Sequence, residues 1–359
     1  MKKALLLLSM LAVLAVGTFA QSVQVGIVLP TKDEERWIQD QTRFQDALKT
    51  AGISAQVLFS EKDSAKEKAN VETLLTKGMK VLVLCPVDSA SAAASADAAA
   101  KAGVKVVAYD RLITGTMNVD FYVTFDSFSV GAAWGTYLAS QAKGTGNNLY
   151  LYAGAASDNN AFIFFEGAWS VLQPKIADKT FKIVNSDAAV KLQGKAELTR
   201  EEMASIIGQV TTNWNPNDAK SKAESNLTKA TVAQKGTVFI LSPNDQTARA
   251  IVDAFAKDKA VKKAYSTGQD ADKVSIQYII DGKQSMTVLK DTRVLVADAI
   301  KTAISFAKGE TPEQTKTYNN GAMDVPAKPS EVVSVTQANV KAAIVDSGYY
   351  PANLFKNLK

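Results

Sequence analysis

The chain has 359 residues, 47% of them hydrophobic and 21% charged, and a formal net charge of +5. That composition excludes disordered and fibrous classes and is enough for two domains, each with its own core. Removing Lys2 and Lys3 would leave +3 (5 minus 2), and no later run of basic residues is interleaved with aromatics, which argues against nucleic acid or a membrane surface as a partner.

Lys2 and Lys3 precede the apolar stretch 4–16, and Thr18 and Ala20 place small residues where a signal peptidase cuts, so 1–20 reads as an export signal. The mature chain then starts at Gln21 and functions outside the cytoplasm. The apolar stretch falls short of the ~20 residues that a spanning helix needs. The single cysteine, Cys85, lies too far along for a lipid anchor; within "VLVLCP" it reads as a small buried hydrophobe, with no internal disulfide.

From there, Val- and Ile-rich runs alternate with helix-compatible stretches, as βαβ units do. Strands are predicted at 23–30, 53–59, 80–86 and 104–110, with helices near 34–50, 64–77 and 89–102, forming one doubly wound lobe. After "YVTFD" (122–126) the pattern restarts with strands at 148–154, 181–185, 237–243 and 264–270, a second lobe of the same build. Extended segments return at 284–291 and 323–335 around a helix at 292–307, so the chain crosses between lobes more than once. The fold class is therefore α/β with two Rossmann-like lobes. We assign 21–126 plus 290–326 to the N-terminal lobe and 127–289 plus 327–359 to the C-terminal lobe.

The chain contains no histidine. Ser/His/Asp and Cys/His nucleophile systems and His-based metal sites are thereby excluded. No phosphate-binding glycine loop and no calcium loop is recognisable, so neither a nucleotide cofactor nor a metal is expected.

In open parallel sheets ligands gather beyond the carboxyl ends of the strands. The polar residues placed there are Arg36 and Trp37, Asp110 and Arg111, Asp158 and Asn160, Asn244, and Gln269 with Asp270 and Asp272; Trp214 and Lys290 join them from "TNWNPND" and a crossing segment. A sugar hydroxyl donates one hydrogen bond and accepts up to two, so carboxylate, guanidinium and amide can converge on it while an aromatic plane covers the ring face. Taken singly, each of these residues has a plainer reading: Asp158, Asp270 or Asp272 as a helix cap, Arg36 as a surface pair, Trp214 as core.

The blocks "PTKDEERWIQD", "VVAYDRLI", "SDNNAFIFFEGA", "GQDADK" and "MTVLKDTR", with "SGYY" near the C-terminus, resemble the periplasmic sugar-binding proteins of ABC transporters, in the branch of the xylose-binding protein and the multiple-sugar receptor ChvE. The resemblance implies a type I periplasmic binding protein, two lobes joined by a three-segment hinge that close over one aldose such as glucose, galactose or xylose. It implies a monomer whose closed shape a permease, or a chemoreceptor, would read. It assigns ligand contacts to Arg36, Trp37, Asp110, Arg111, Asp158, Asn160, Asn244, Asp270 and Lys290, and with less secure equivalence to Trp214, because the stretch 186–213 is longer than the family's usual connection. Asn244 matches the xylose type, whereas "DNNAFIFFEGA" and "KTYNNG" match the multiple-sugar type. The rival reading from another class is a secreted carbohydrate-active enzyme using paired carboxylates such as Asp110 and Asp270, which would need an acid of raised pKa.

Overall fold

The computed structural model describes residues 24–358. The expected signal peptide lies outside the described residues. The first lobe begins with strands β1 (Val25–Leu29), β2 (Ala55–Phe59), β3 (Val81–Leu84), β4 (Lys105–Tyr109) and β5 (Phe121–Phe125), with helices α1 (Glu35–Thr50), α2 (Ser64–Thr76) and α3 (Ala93–Lys101) between the first four. The second lobe follows as α4 (Ser127–Gln141), β6 (Asn147–Leu151), α5 (Asn159–Ala177), β7 (Phe181–Ile183), α6 (Asp187–Leu192), α7 (Arg200–Val210), α8 (Pro216–Lys229), β8 (Gly236–Leu241), α9 (Asp245–Lys257), β9 (Val261–Ser266), α10 (Lys273–Ile280) and β10 (Met286–Leu289). Then α11 (Thr292–Ala307), the hairpin β11 (Lys316–Asn319) and β12 (Asp324–Ser330) rejoin the first lobe, and β13 (Val333–Thr336) returns to the second.

The first sheet has the order β11-β12-β5-β4-β3-β1-β2 and the second β7-β6-β8-β9, with β10 and β13 paired separately. All pairs within the two sheets are parallel except the β11–β12 hairpin. Strands β1, β3 and β5 are buried along their whole length, which is why they read as continuous apolar runs rather than alternating ones. Each sheet packs a core on both faces, as a doubly wound sheet requires.

The expected lobe boundary at 326–327 falls inside β12. The chain stays on the first sheet to Ser330, where Pro329 and Ser330 pair with Thr124 and Phe125 of β5. The strand lies within the extended segment expected at 323–335, but its two prolines, Pro326 and Pro329, obscure where it ends. The three crossings lie side by side: Phe125 is registered against Ser330, and Leu289 against Val333. The long 186–213 stretch holds α6 and α7, whose Ala189, Ile206 and Ile207 are buried against α5 and its neighbours.

Helices α4 and α5 cross in closest contact through glycines. A Cβ on Gly131 would lie 1.8 Å from the Phe164 carbonyl oxygen, and one on Gly167 2.1 Å from that of Phe128. Because the obstructing atoms are backbone, no rotamer change can relieve the clash. Gly131→Ala should destabilise the protein by about 1–3 kcal/mol through forced separation of the helices. Urea unfolding tests this, and an unchanged midpoint would show that the helices can part at no cost.

Candidate functional site

The facing ends of the two sheets meet around a small, narrow cavity lined by Glu34, Arg36, Trp37, Asp110, Arg111, Asp158, Asn160, Phe164, Trp214, Asn244, Gln269, Asp270 and Lys290. All ten residues expected at the site lie on this one cavity. Glu34 and Phe164 were not anticipated: Glu34 reads as one more acid in "KDEERW", and Phe164 as core beneath "DNN". Gln269 was visible at a strand end but carried no distinguishing signal.

Asp110 leaves β4 in the left-handed region, with φ of 62°. Its N–H donates to the Val123 carbonyl at 2.7 Å. Its own carbonyl accepts from Tyr122 Oη at 2.8 Å, Thr124 Oγ1 at 3.0 Å and, from the other lobe, Asn160 Nδ2 at 2.8 Å. This anchoring turns the carboxylate towards Arg36, whose Nη2 lies 2.5 Å from Asp110 Oδ2. No helix starts at Asp110, so the cap reading does not apply to it.

Asp270 occupies the matching place in the second lobe, with φ of 95° and its N–H bonded to the Val288 carbonyl at 2.9 Å. Lys290, at the end of β10, brings Nζ to 2.8 Å from Asp270 Oδ1, and Arg36 approaches the same oxygen at 3.8 Å. The third pair joins Arg111 Nε to Asp158 Oδ2 at 2.9 Å, while Arg111 Nη1 donates to the Pro86 carbonyl at 3.1 Å. Asp158 also caps α5 through the Asn160 N–H at 2.9 Å, so the cap and the cleft reading both hold for it. Asn244 likewise caps α9, its Oδ1 accepting from the Thr247 N–H at 3.2 Å.

The apolar surfaces come from rings. Trp37 carries the guanidinium of Arg36 at 4.4 Å from its centroid and that of Arg111 at 5.4 Å. Trp214, also in left-handed backbone, meets Phe164 edge-on at 6.3 Å. Its indole lies so close to Gly154 that a Cβ there would sit 2.0 Å from the ring. The indole N–H groups of Trp37 and Trp214 and the Gln269 Oε1 are buried without a protein partner. Buried donors and acceptors of this kind cost about 1–3 kcal/mol each unless something pairs with them.

Burial pushes the Asp110 carboxyl up, but Arg36, Lys290 and Arg111 outweigh it and hold it below the ordinary carboxylate range. For Asp158 burial wins over Arg111 and the carboxyl is raised. Behind Arg36 sits Asp40, fully buried, 3.6 Å from Arg36 Nε and accepting the Tyr109 hydroxyl at 2.9 Å. Its burial drives the carboxyl up to about 6 despite both partners.

A family described as periplasmic binding protein domain matches residues 25–311. The chain belongs to that family. It is 34% identical over 357 residues to the multiple sugar-binding periplasmic protein SbpA of Azospirillum brasilense, covering 96% of this chain and 95% of that one. The multiple sugar-binding periplasmic receptor ChvE of Rhizobium radiobacter is 34% identical over 346 residues, 92% of each chain. A carbohydrate transporter solute-binding protein from Chloroflexus aurantiacus, solved in complex with D-glucose, is 65% identical and superposes with a TM-score of 0.92 over 93% of this chain and 98% of that one. The type I two-lobed architecture expected from the sequence is the one these comparisons share.

Because the folded-state pKa of Asp40 is raised, its contribution to stability is complete below about pH 4 and is lost as pH rises through about 6. Asp40→Asn removes that loss. Relative to the parent, the variant should therefore gain about 1–3 kcal/mol between pH 4 and pH 8. Urea unfolding at the two pH values measures the difference, and a pH-independent gap would mean that Asp40 titrates as an ordinary carboxylate.

Proposed function

We propose that this protein is an exported receptor that captures one neutral aldopyranose, with glucose, galactose or xylose the leading candidates, and delivers it to an ABC permease. The observation that carries the reading is the cavity between the lobes. Three carboxylate–cation pairs and amides face two indoles there, and both indole N–H groups are buried without a protein partner. Paired charges offer a hydroxyl both a donor and an acceptor, and the ring faces have aromatic planes to lie against. Relatives spanning nearly the whole chain are named as sugar-binding periplasmic proteins, which supports the periplasm as the place of action.

Contacts already join the lobes around the cavity. Besides the Asn160–Asp110 bond, Asn159 N–H donates to Ser89 Oγ at 3.1 Å, Gln39 Nε2 to Tyr350 Oη at 2.8 Å, and Lys273 pairs with Glu35 at 3.3 Å. A ligand held by both lobes adds to this set, so it stabilises the closed form by its differential affinity. The paired-carboxylate enzyme reading lacks support at Asp110, whose carboxyl is held too acidic by its cations to act as a proton donor near neutral pH.

Calorimetry of the mature protein against pentoses and hexoses should give one-to-one binding of a neutral aldose, with no chemical change in the sugar. A full panel without heat would sink the proposal, and multiple turnovers to product would move it to an enzyme. Asp110→Ala should weaken binding by at least about 1.5–3 kcal/mol through loss of a charge-assisted bond, and Trp37→Ala by a similar margin through lost ring contact. Wild-type affinity in either folded variant would remove that residue from the site.

Closure makes its own demand. In solution scattering, saturating sugar should reduce the radius of gyration of the wild type. Lys290→Ala, which frees Asp270 at the crossing, should lose that compaction even when saturated. Identical curves with and without bound sugar would exclude closure as the signal.

A further inference from the structure

The charges lining the cavity do not balance. Glu34, Asp110, Asp158 and Asp270 face only Arg36, Arg111 and Lys290. The three aspartates each take a cation within 3 Å: Arg36 at 2.5 Å from Asp110, Arg111 at 2.9 Å from Asp158 and Lys290 at 2.8 Å from Asp270. Glu34 is the acid left over, its carboxyl raised by burial with Arg111 as the main opposing charge. It is 92% buried (8% exposed), yet among the described residues its side chain makes no ion pair and no hydrogen bond. It stands at the N-cap of α1, but its side chain makes no cap bond. The nearest cation outside the cavity, Lys62, is paired with Asp33 at 3.1 Å. Arg36, two residues further along the chain, is already shared by Asp110, Asp270 and Asp40.

Resting on the sugar-binding reading, we propose that Glu34 sets the charge selectivity of the cleft: its surplus carboxylate accepts a hydroxyl from neutral aldoses and excludes sugar acids. A uronate differs from its parent aldose by a carboxylate in place of the primary alcohol. Glu34 shares the lining of this small cavity with the groups that such a carboxylate would meet, and every cation it could seek there is already committed to an aspartate. Like charges in a low-dielectric enclosure repel strongly, so the discrimination comes from an unfavourable contact with the wrong ligand rather than a better contact with the right one.

The test is the ratio of dissociation constants for D-glucuronate over D-glucose, and D-galacturonate over D-galactose, read by competition at neutral pH in the wild type and in Glu34→Gln. The wild type should bind the uronates about a hundredfold or more weaker than the aldoses, and Glu34→Gln should shrink that ratio by about tenfold or more. Wild-type uronate affinity equal to that for the aldose overturns the proposal, and so does a ratio unchanged in the variant. The first measurement needs no variant, so a poorly folded Glu34→Gln does not remove the test. If neither aldose binds the wild type, it is the sugar-binding reading that fails.

Discussion

Arg36 is the point on which the seam between the lobes turns. An unpaired guanidinium buried to this degree would cost several kcal/mol, and the structure meets that constraint by surrounding it with carboxylates from three directions. Asp40 comes from its own helix, Asp110 from the end of β4, and Asp270 from the opposite lobe. The last of these is the longest contact and the only one that opening would break outright. Opening the cleft therefore leaves Arg36 paired within its own lobe while hydrating Asp270 and Lys290, so neither lobe is left with a stranded buried charge. The same arrangement keeps Asp110 ionised, which makes it an acceptor-only group and a stronger partner for a hydroxyl.

The fold positions these groups with little additional machinery. Most cleft residues sit at a strand end or in the first turn of the helix that follows: Arg36 and Trp37 after β1, Asp110 and Arg111 after β4, Asp158 and Asn160 after β6, Asn244 after β8. Helix caps serve twice, since Asp158 and Asn244 fix the start of a helix and line the cavity with the same side chain. Substituting either should thus disturb two things at once, whereas Asp110 answers for one.

Most of the architecture was legible because parallel strands buried on both faces produce apolar runs that end abruptly in polar residues. The runs at 80–86 and 104–110 contain β3 and β4, and the helix predicted at 292–307 is α11 to the residue. Strand β12 falls inside the extended segment predicted at 323–335, whereas β11 carries no such signal, and Pro326 and Pro329 hide how far β12 runs along β5 before the chain leaves the first sheet. Among the site residues, those quoted in compact blocks were found, and Glu34 was missed for a physical reason. An acid at a helix start is the commonest thing an acid can be, and what distinguishes Glu34 is the absence of a partner, which only packing reveals.

Asp110 and Asp270 share a backbone feature with consequences for how this site can vary. Both hold φ between 60° and 100°, a region that β-branched and bulky side chains adopt at a cost and that glycine, asparagine and aspartate occupy most readily. Backbone geometry thus favours three residues, and chemistry narrows them again. Glycine keeps the turn and discards the carboxylate. Asparagine keeps the turn and the hydrogen-bonding shape but leaves Arg36 or Lys290 short of a counter-charge. Glutamate keeps the charge but is less favoured on this backbone and changes the reach. Position 34 differs on both counts: it sits on ordinary backbone and its side chain makes no cap bond, so a change there would alter what the cavity offers without disturbing the turn or the helix that carries it.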